Sequence, residues 1–362
     1  MSDVTSGYEL ERRAHRLAWT LGYFSRRQII LYSDGGNTIT DIDVIGIKFD
    51  ETLSPDVLLI ETKSEKGFAS ILKLKGLLDY FTTKSAYIIR PNITPDIIRF
   101  SEKLKINALH TSRLDEIEDS LDIDSDDWNL SYSAEYDSYR DELLLLLGKL
   151  NYRNEIGLLN DFWEEQDSYS SMKILISAIN FIKERYDVEK DLEIKNALAF
   201  LLSEYISLFL ISVLKSAGIL YKYPTHQRSR VFHEKLISGK LSFREKEDLL
   251  DKFFSFLKSY TKSLGKKMTI KREDLTLLPI YHDDLYRLIN IFIDLSKHSK
   301  ILPIITDIMS SSIIDQKELN KKYLLKHYPM TEESYDITIT LLNQLVGFLF
   351  PEIPIFLKDL LL

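Results

Sequence analysis

At 362 residues, 44% hydrophobic and 28% charged, the chain has the make-up of an ordinary folded protein; it exceeds what one core usually organises, which predicts two domains and excludes a disordered or fibrous chain. The absence of cysteine excludes disulfides and thiolate metal sites, leaving oxygen and imidazole donors, for which magnesium or manganese is the default ion. A formal net charge of -8 argues against a generally basic, nucleic-acid-coating protein and leaves room only for a local cationic surface.

The start, Met1 to Tyr8, lacks the basic residues and apolar core of a secretory signal. The most apolar stretches, Ile206 to Leu214 and Leu143 to Leu147, fall short of the run of about 18 uncharged residues that spans a membrane. A cytoplasmic protein with no membrane partner is expected.

Leu10, Ala14, Leu17, Ala18 and Leu21 recur at helical spacing before Gly22, predicting a helix over 6–21. Residues 28–32 are β-prone, Asp34-Gly35-Gly36-Asn37 is turn chemistry, and 39–49 alternates as a strand, with Ile42 and Val44 on one face and Asp41, Asp43, Ile45 and Ile47 on the other. A strand over 57–63, a helix over 68–81, a strand over 85–89, a helix over 95–104 and a short strand over 107–111 follow. The order α-β-β-β-α-β-α-β predicts an α/β domain with a mixed central sheet flanked by helices, over residues 1–122.

From Asp115 to Asp137 there are ten acidic residues and no Lys or Arg. Such a run repels itself and is expected to act as an unpacked tether, placed at 123–137. Beyond it strand alternation stops. Amphipathic segments around 140–150, 154–165, 170–186, 190–217, 228–238, 243–264, 282–298 and 331–361 predict an irregular all-α domain over 138–362. Residues 1–122 are expected to fold alone.

The strands carrying Asp43 and Glu61 fold back about a loop centred near residue 52, so an antiparallel pairing sets the two carboxylates nearly opposite each other. Like charges across a ladder are destabilising unless a cation compensates them or one pKa is raised, and a divalent metal meets that need. Lys63, two residues beyond Glu61, projects from the same face; it could orient or deprotonate a water or neutralise charge on a phosphorus. Arg12, Arg13, Arg16, Arg26, Arg27, Lys63, Lys66, Lys73 and Lys75 gather nearby as a candidate phosphate-binding surface, each being equally readable as a solvated helix face.

Gly7-Tyr8-Glu9-Leu10-Glu11-Arg12, Gly22, Asp43-Val44-Ile45-Gly46 and Ile60-Glu61-Thr62-Lys63 resemble the core of the archaeal Holliday junction resolvases and of Mrr-type restriction endonucleases, over roughly residues 7–112. The resemblance implies the restriction-endonuclease-like fold of the PD-(D/E)xK nucleases and magnesium-dependent cutting of DNA, with manganese as a substitute. It implies Asp43, Glu61, Glu11 and the Thr62 carbonyl as metal ligands and Lys63 as the catalytic lysine, with Glu9 and Asp41 as competitors for Glu11 and Asp43. The hairpin loop is longer than in the small resolvases, and they have no counterpart to the helical region. A DNA endonuclease of restriction or antiphage defence, with a homodimer as the candidate assembly, is therefore expected. The rivals are a silent nucleic-acid or partner-binding scaffold and an RNA-cutting enzyme.

Arg228 and His233 match the R-x4-H spacing of HEPN ribonucleases, a two-residue match of low weight. His282, Asp283 and Asp284 are read as ordinary chemistry at a helix start, and Trp19 as core. There is no phosphate-cradling glycine loop.

Overall fold

The computed structural model describes residues 7–32, 37–63, 67–83, 85–120, 134–165, 167–238, 243–265, 271, 279–315, 325, 331–350, 352–354 and 357. Lys66, Trp128, most of the predicted turn at 34–37 and residues 123–133 of the expected tether lie outside them.

The N-terminal elements follow the predicted order: α1 (Gly7–Thr20), β1 (Phe24–Tyr32), β2 (Thr38–Phe49), β3 (Pro55–Thr62), α2 (Ala69–Tyr80), β4 (Ser85–Arg90), α3 (Pro95–Lys103) and β5 (Asn107–His110). They form one five-stranded mixed sheet in sequential order, β1-β2 and β2-β3 antiparallel, β3-β4 and β4-β5 parallel. The loop at 50–54 closes β2 and β3 into a β-hairpin. The parallel steps need crossovers, which α2 and α3 supply.

Because successive side chains of a strand point to opposite faces, the sheet is covered twice. On one face Val44, Leu58 and Ile60 pack with Leu10, Ala14, Leu17 and Ala18 of α1 and with Leu114 of α4 (Thr111–Ser120). On the other, Ile45, Ile47, Leu59 and Ile88 pack with Ile71, Leu74 and Leu78 of α2. That second core continues without interruption into the helical region.

The helical region comprises, among the described residues, α5 (Ala134–Lys149), α6 (Arg153–Glu164), α7 (Ser168–Val188), α8 (Leu192–Tyr221), α9 (Thr225–Ser238), α10 (Phe243–Ser263), α11 (His282–Asp294), α12 (Ser296–Ser299), α13 (Leu302–Asp315) and α14 (Glu332–Leu349). Periodicity reading missed α13, whose apolar and small residues run around the whole helix without a polar face, and extended the last helix beyond Leu349, where Phe350 turns extended ahead of Pro351.

Helix α8 is apolar all round and forms the centre of this region, as such helices must be buried. Although it breaks the strict uncharged run at Glu204 and Lys215, by length and hydropathy it would suffice to cross a membrane; its most apolar stretch is wholly buried inside the fold.

The two halves are stapled together by charge and by close packing. Arg26 of β1 donates to both carboxylate oxygens of Glu204 on α8 (2.8 and 2.7 Å) and to Asp307 on α13 (2.7 Å); both carboxylates are buried and Arg26 is part-buried. Phe24 stacks on Trp163 of α6, and the Tyr32 amide donates to Glu164 (2.8 Å). A Cβ placed on Gly218 of α8 would collide with the backbone carbonyl of Leu53 in the β2-β3 loop, so only glycine lets helix and loop touch there.

The acidic run does not behave as a uniform tether. Its first residues form α4, where Asp115 and Glu118 clamp Arg13 (2.5 and 2.8 Å) and Glu118 also meets Arg16 (3.6 Å); Asp137 pairs with Arg27. For Asp115, Glu118 and Asp137 the repulsion is relieved by arginines that are remote in sequence.

Candidate active site

The β2-β3 register pairs Val44 with Ile60 and Ile45 with Leu59; Asp43 and Glu61 are the next residues beyond the end of that ladder, and the Asp43 charge acts on Glu61. Both carboxylates are buried, at 4% and 1% exposure. Asp43 is fixed by Thr62, whose amide (2.6 Å) and hydroxyl (2.9 Å) both donate to one Asp43 oxygen. Lys63 leaves the end of β3, its amide bonded to the Ile89 carbonyl (3.1 Å), and its ammonium lies 3.2 Å from Glu61.

Glu11 approaches from α1 and accepts a hydrogen bond from the Gln28 side chain (3.0 Å). Gln28 sits in β1 between Arg27 and Ile29, which pair with Val44 and Ile42, and so stands across from Asp43. Its φ of 55° is left-handed, an unfavourable conformation for a residue with a Cβ, and it turns the side chain toward Glu11. Glu9, the competing carboxylate, is engaged by Arg12 (2.7 Å) on its own helix.

Lys73 of α2, which the sequence reading counted only among nearby basic residues, completes the group. Its ammonium donates to both oxygens of Glu61 (3.1 and 3.0 Å) and to Asp41 (2.9 Å). Helical spacing could have shown that Lys73 faces the strand, since Leu74, Leu77 and Leu78 fix which side of α2 is buried. Gln28 left no such signal, because a left-handed residue inside a strand has no sequence pattern beyond glycine.

Burial raises the Glu61 carboxyl above its ordinary value, the Asp43 charge raises it further, and Lys73 and Lys63 oppose both. Burial likewise raises Glu11, opposed by the Gln28 hydrogen bond and reinforced by Asp43. Burial would lower the Lys63 ammonium, yet Asp43 and Glu61 outweigh it and raise the pKa. Lys63 is thus a cation at neutral pH, suited to stabilising negative charge and not to accepting a proton from water.

Five predicted residues therefore converge: Glu11, Asp43, Glu61, Thr62 and Lys63, with Gln28, Asp41 and Lys73 added. The donor set is all oxygen, the chemistry of hard cations. The carboxylates are more open than a closed metal cage, since the one three-ligand group among the described residues with ligand atoms within 4.8 Å of one another is His233, His282 and Asp283, elsewhere in the chain.

The expected phosphate-binding surface is largely consumed inside the fold. Arg13, Arg26 and Arg27 end in ion pairs with Asp115 and Glu118, Glu204 and Asp307, and Asp137, respectively, while Lys75 forms an exposed pair with Asp79 on its own helix. The Arg228 guanidinium donates to the Tyr223 carbonyl (3.1 Å), while His233 faces His282.

Compared with protein-family models, with curated proteins and with solved structures, the chain matches none of them. What the site does has to be inferred from its own residues.

Proposed function

We propose that the chain is a magnesium-dependent endonuclease acting on DNA, with the PD-(D/E)xK arrangement that the sequence resembles. The observation that carries this reading is the convergence, from α1, β2 and β3, of Glu11, Asp43, Glu61 and Lys63, with the two strand carboxylates buried face to face. Two buried like charges, with the Glu61 carboxyl raised, form a site short of positive charge, which is the condition a divalent ion relieves.

Asp43, Glu61, Glu11 and the Thr62 carbonyl would hold the ion. When bound, magnesium supplies charge against the non-bridging oxygens of a phosphodiester and acidifies a water. Thr62 keeps Asp43 aimed, Gln28 keeps Glu11 aimed, and the Lys63 ammonium faces the charge that develops on phosphorus. A cytoplasmic role in restriction or antiphage defence follows by analogy alone.

One observation favours the rival, a silent scaffold: Lys73 already bridges Asp41 and Glu61, supplying part of the missing charge internally. A single assay separates them. Full-length protein is incubated with supercoiled, linear, branched and single-stranded DNA and with RNA, with and without magnesium or manganese. The nuclease reading expects metal-dependent DNA cleavage that falls about a hundredfold or more in Asp43→Ala, Glu61→Ala and Lys63→Ala. Cleavage that survives in Asp43→Ala, or none on any substrate, rejects it; RNA cut in preference to DNA changes the substrate class.

A further inference from the structure

We infer that His233, His282 and Asp283 form a second metal site, separate from the carboxylate site and selective for a divalent transition ion such as zinc. His233 lies on α9 and His282 and Asp283 open α11, so the donors come from two helices. One ligand atom from each falls within 4.8 Å of the other two.

The imidazole of His282 is oriented as a metal ligand is. Its Nδ1 lies 2.9 Å from the Pro279 carbonyl, which can only accept, so Nδ1 carries a proton and Nε2, the ring's other donor atom, points away, facing Asp283 at 3.3 Å. The other imidazole presents an unmet need: His233 Nε2 is buried and has no hydrogen-bond partner. A buried ring nitrogen without a partner is unfavourable, and an ion shared with His282 and Asp283 would satisfy it. The two rings meet edge to face, their centroids 5.4 Å apart.

The donors stand on a packed support. Phe232, next to His233, is fully buried against Tyr286 of α11 (5.3 Å) and Tyr169 of α7 (6.1 Å), and Leu285, two residues beyond Asp283, is in the core. Two imidazoles with one carboxylate are a borderline donor set that suits zinc, cobalt or nickel better than magnesium or calcium. Three protein ligands leave a fourth position open, and Asp283, 70% exposed, places it at the surface. The ion would tie α9 to α11 across the 43 residues between Ser238 and His282, α10 among them.

The test uses the full chain, stripped of metal, in the wild type and in Asp43→Asn, which disables the carboxylate site. Each is titrated with cobalt(II), read by visible absorption, and with zinc, read by calorimetry and by the imidazole nitrogen signals. The expected result is one equivalent bound in Asp43→Asn and the same equivalent in the wild type beside any ion held at the carboxylate site, with intense four-coordinate cobalt bands and zinc-induced shifts of both Nε2 signals in both proteins. Affinity should fall tenfold or more in His282→Gln and measurably in Asp283→Asn, whose exposed side chain can change without disturbing the fold. No uptake, weak six-coordinate bands, or unchanged affinity in both variants would overturn the site. Uptake lost only in Asp43→Asn would overturn it equally, by placing the ion among the N-terminal carboxylates.

Discussion

Lys73 and Glu61 form a two-pronged ion pair, the ammonium lying 3.1 and 3.0 Å from the two carboxylate oxygens and 2.9 Å from Asp41. Lys73 thus stands as the resident countercharge of a site proposed to bind a divalent ion. In chelator, Lys73→Gln should lose about 1–3 kcal/mol of stability, because Glu61 stays buried with less compensation. Manganese should then bind more tightly than to the wild type, with no ammonium to displace, and restore the melting temperature. Calorimetry on both proteins checks this; weaker manganese binding in Lys73→Gln would mean that the lysine supports the ion instead of competing with it.

The raised Glu61 carboxyl predicts a pH dependence of the metal-free protein. Its folded pKa lies above the ordinary 4.5, so the folded state holds the proton to higher pH than the unfolded state does. The contribution is therefore favourable below the unfolded value and is lost as pH rises through the folded one. Glu61→Gln should be more stable than the wild type at pH 7 in chelator, and the gain should vanish near about pH 4. Urea titrations at the two pH values measure it, and a destabilised variant at pH 7 refutes the sign.

The buried pairing of Arg26 with Glu204 and Asp307 joins residues up to 281 positions apart. Arg26→Met takes the shared cation away from the buried Glu204 and Asp307 carboxylates and should cost about 3–5 kcal/mol. Replacing all three by apolar residues of similar size should recover most of that loss. Denaturant unfolding of the single and triple variants decides; a single variant as stable as the wild type would show that the network carries no weight.

Residues 1–122 should not fold alone, contrary to the expectation from composition. The fragment would bare Phe24 where Trp163 stacks, strand Arg26 without Glu204 and Asp307, and open the Leu53 loop that Gly218 covers. Expressed alone it should bind an apolar dye and unfold without cooperativity. A soluble fragment with a sharp thermal transition would restore the picture of an independent unit.

Gly218 offers a local probe of the same interface. Gly218→Ala favours a helix by propensity, yet its methyl would strike the Leu53 carbonyl, and overpacking of this kind costs about 1–3 kcal/mol. A lower melting temperature is expected; a higher one would mean that the loop yields freely.

By itself the sequence determined the α/β order, the strand pairing that sets Asp43 across from Glu61, and the placement of Lys63 beside them. These follow from periodicities of 2 and 3.6 and from hairpin geometry, which act over a few residues and need no knowledge of the rest of the chain. Only the tertiary structure decided what lies in contact across long separations. It turned Gln28 left-handed to hold Glu11, brought Lys73 onto Glu61 and used Arg13, Arg26 and Arg27 as internal partners in place of a phosphate-binding surface. It brought His233 to His282 from separate helices. It also buried α8, whose apolar circumference satisfies a core and a bilayer equally well by sequence, at the centre of a fold whose second core runs through both halves. A buried charge or an apolar face requires a partner, but nothing local to it specifies which one; the packing of the whole chain makes that choice.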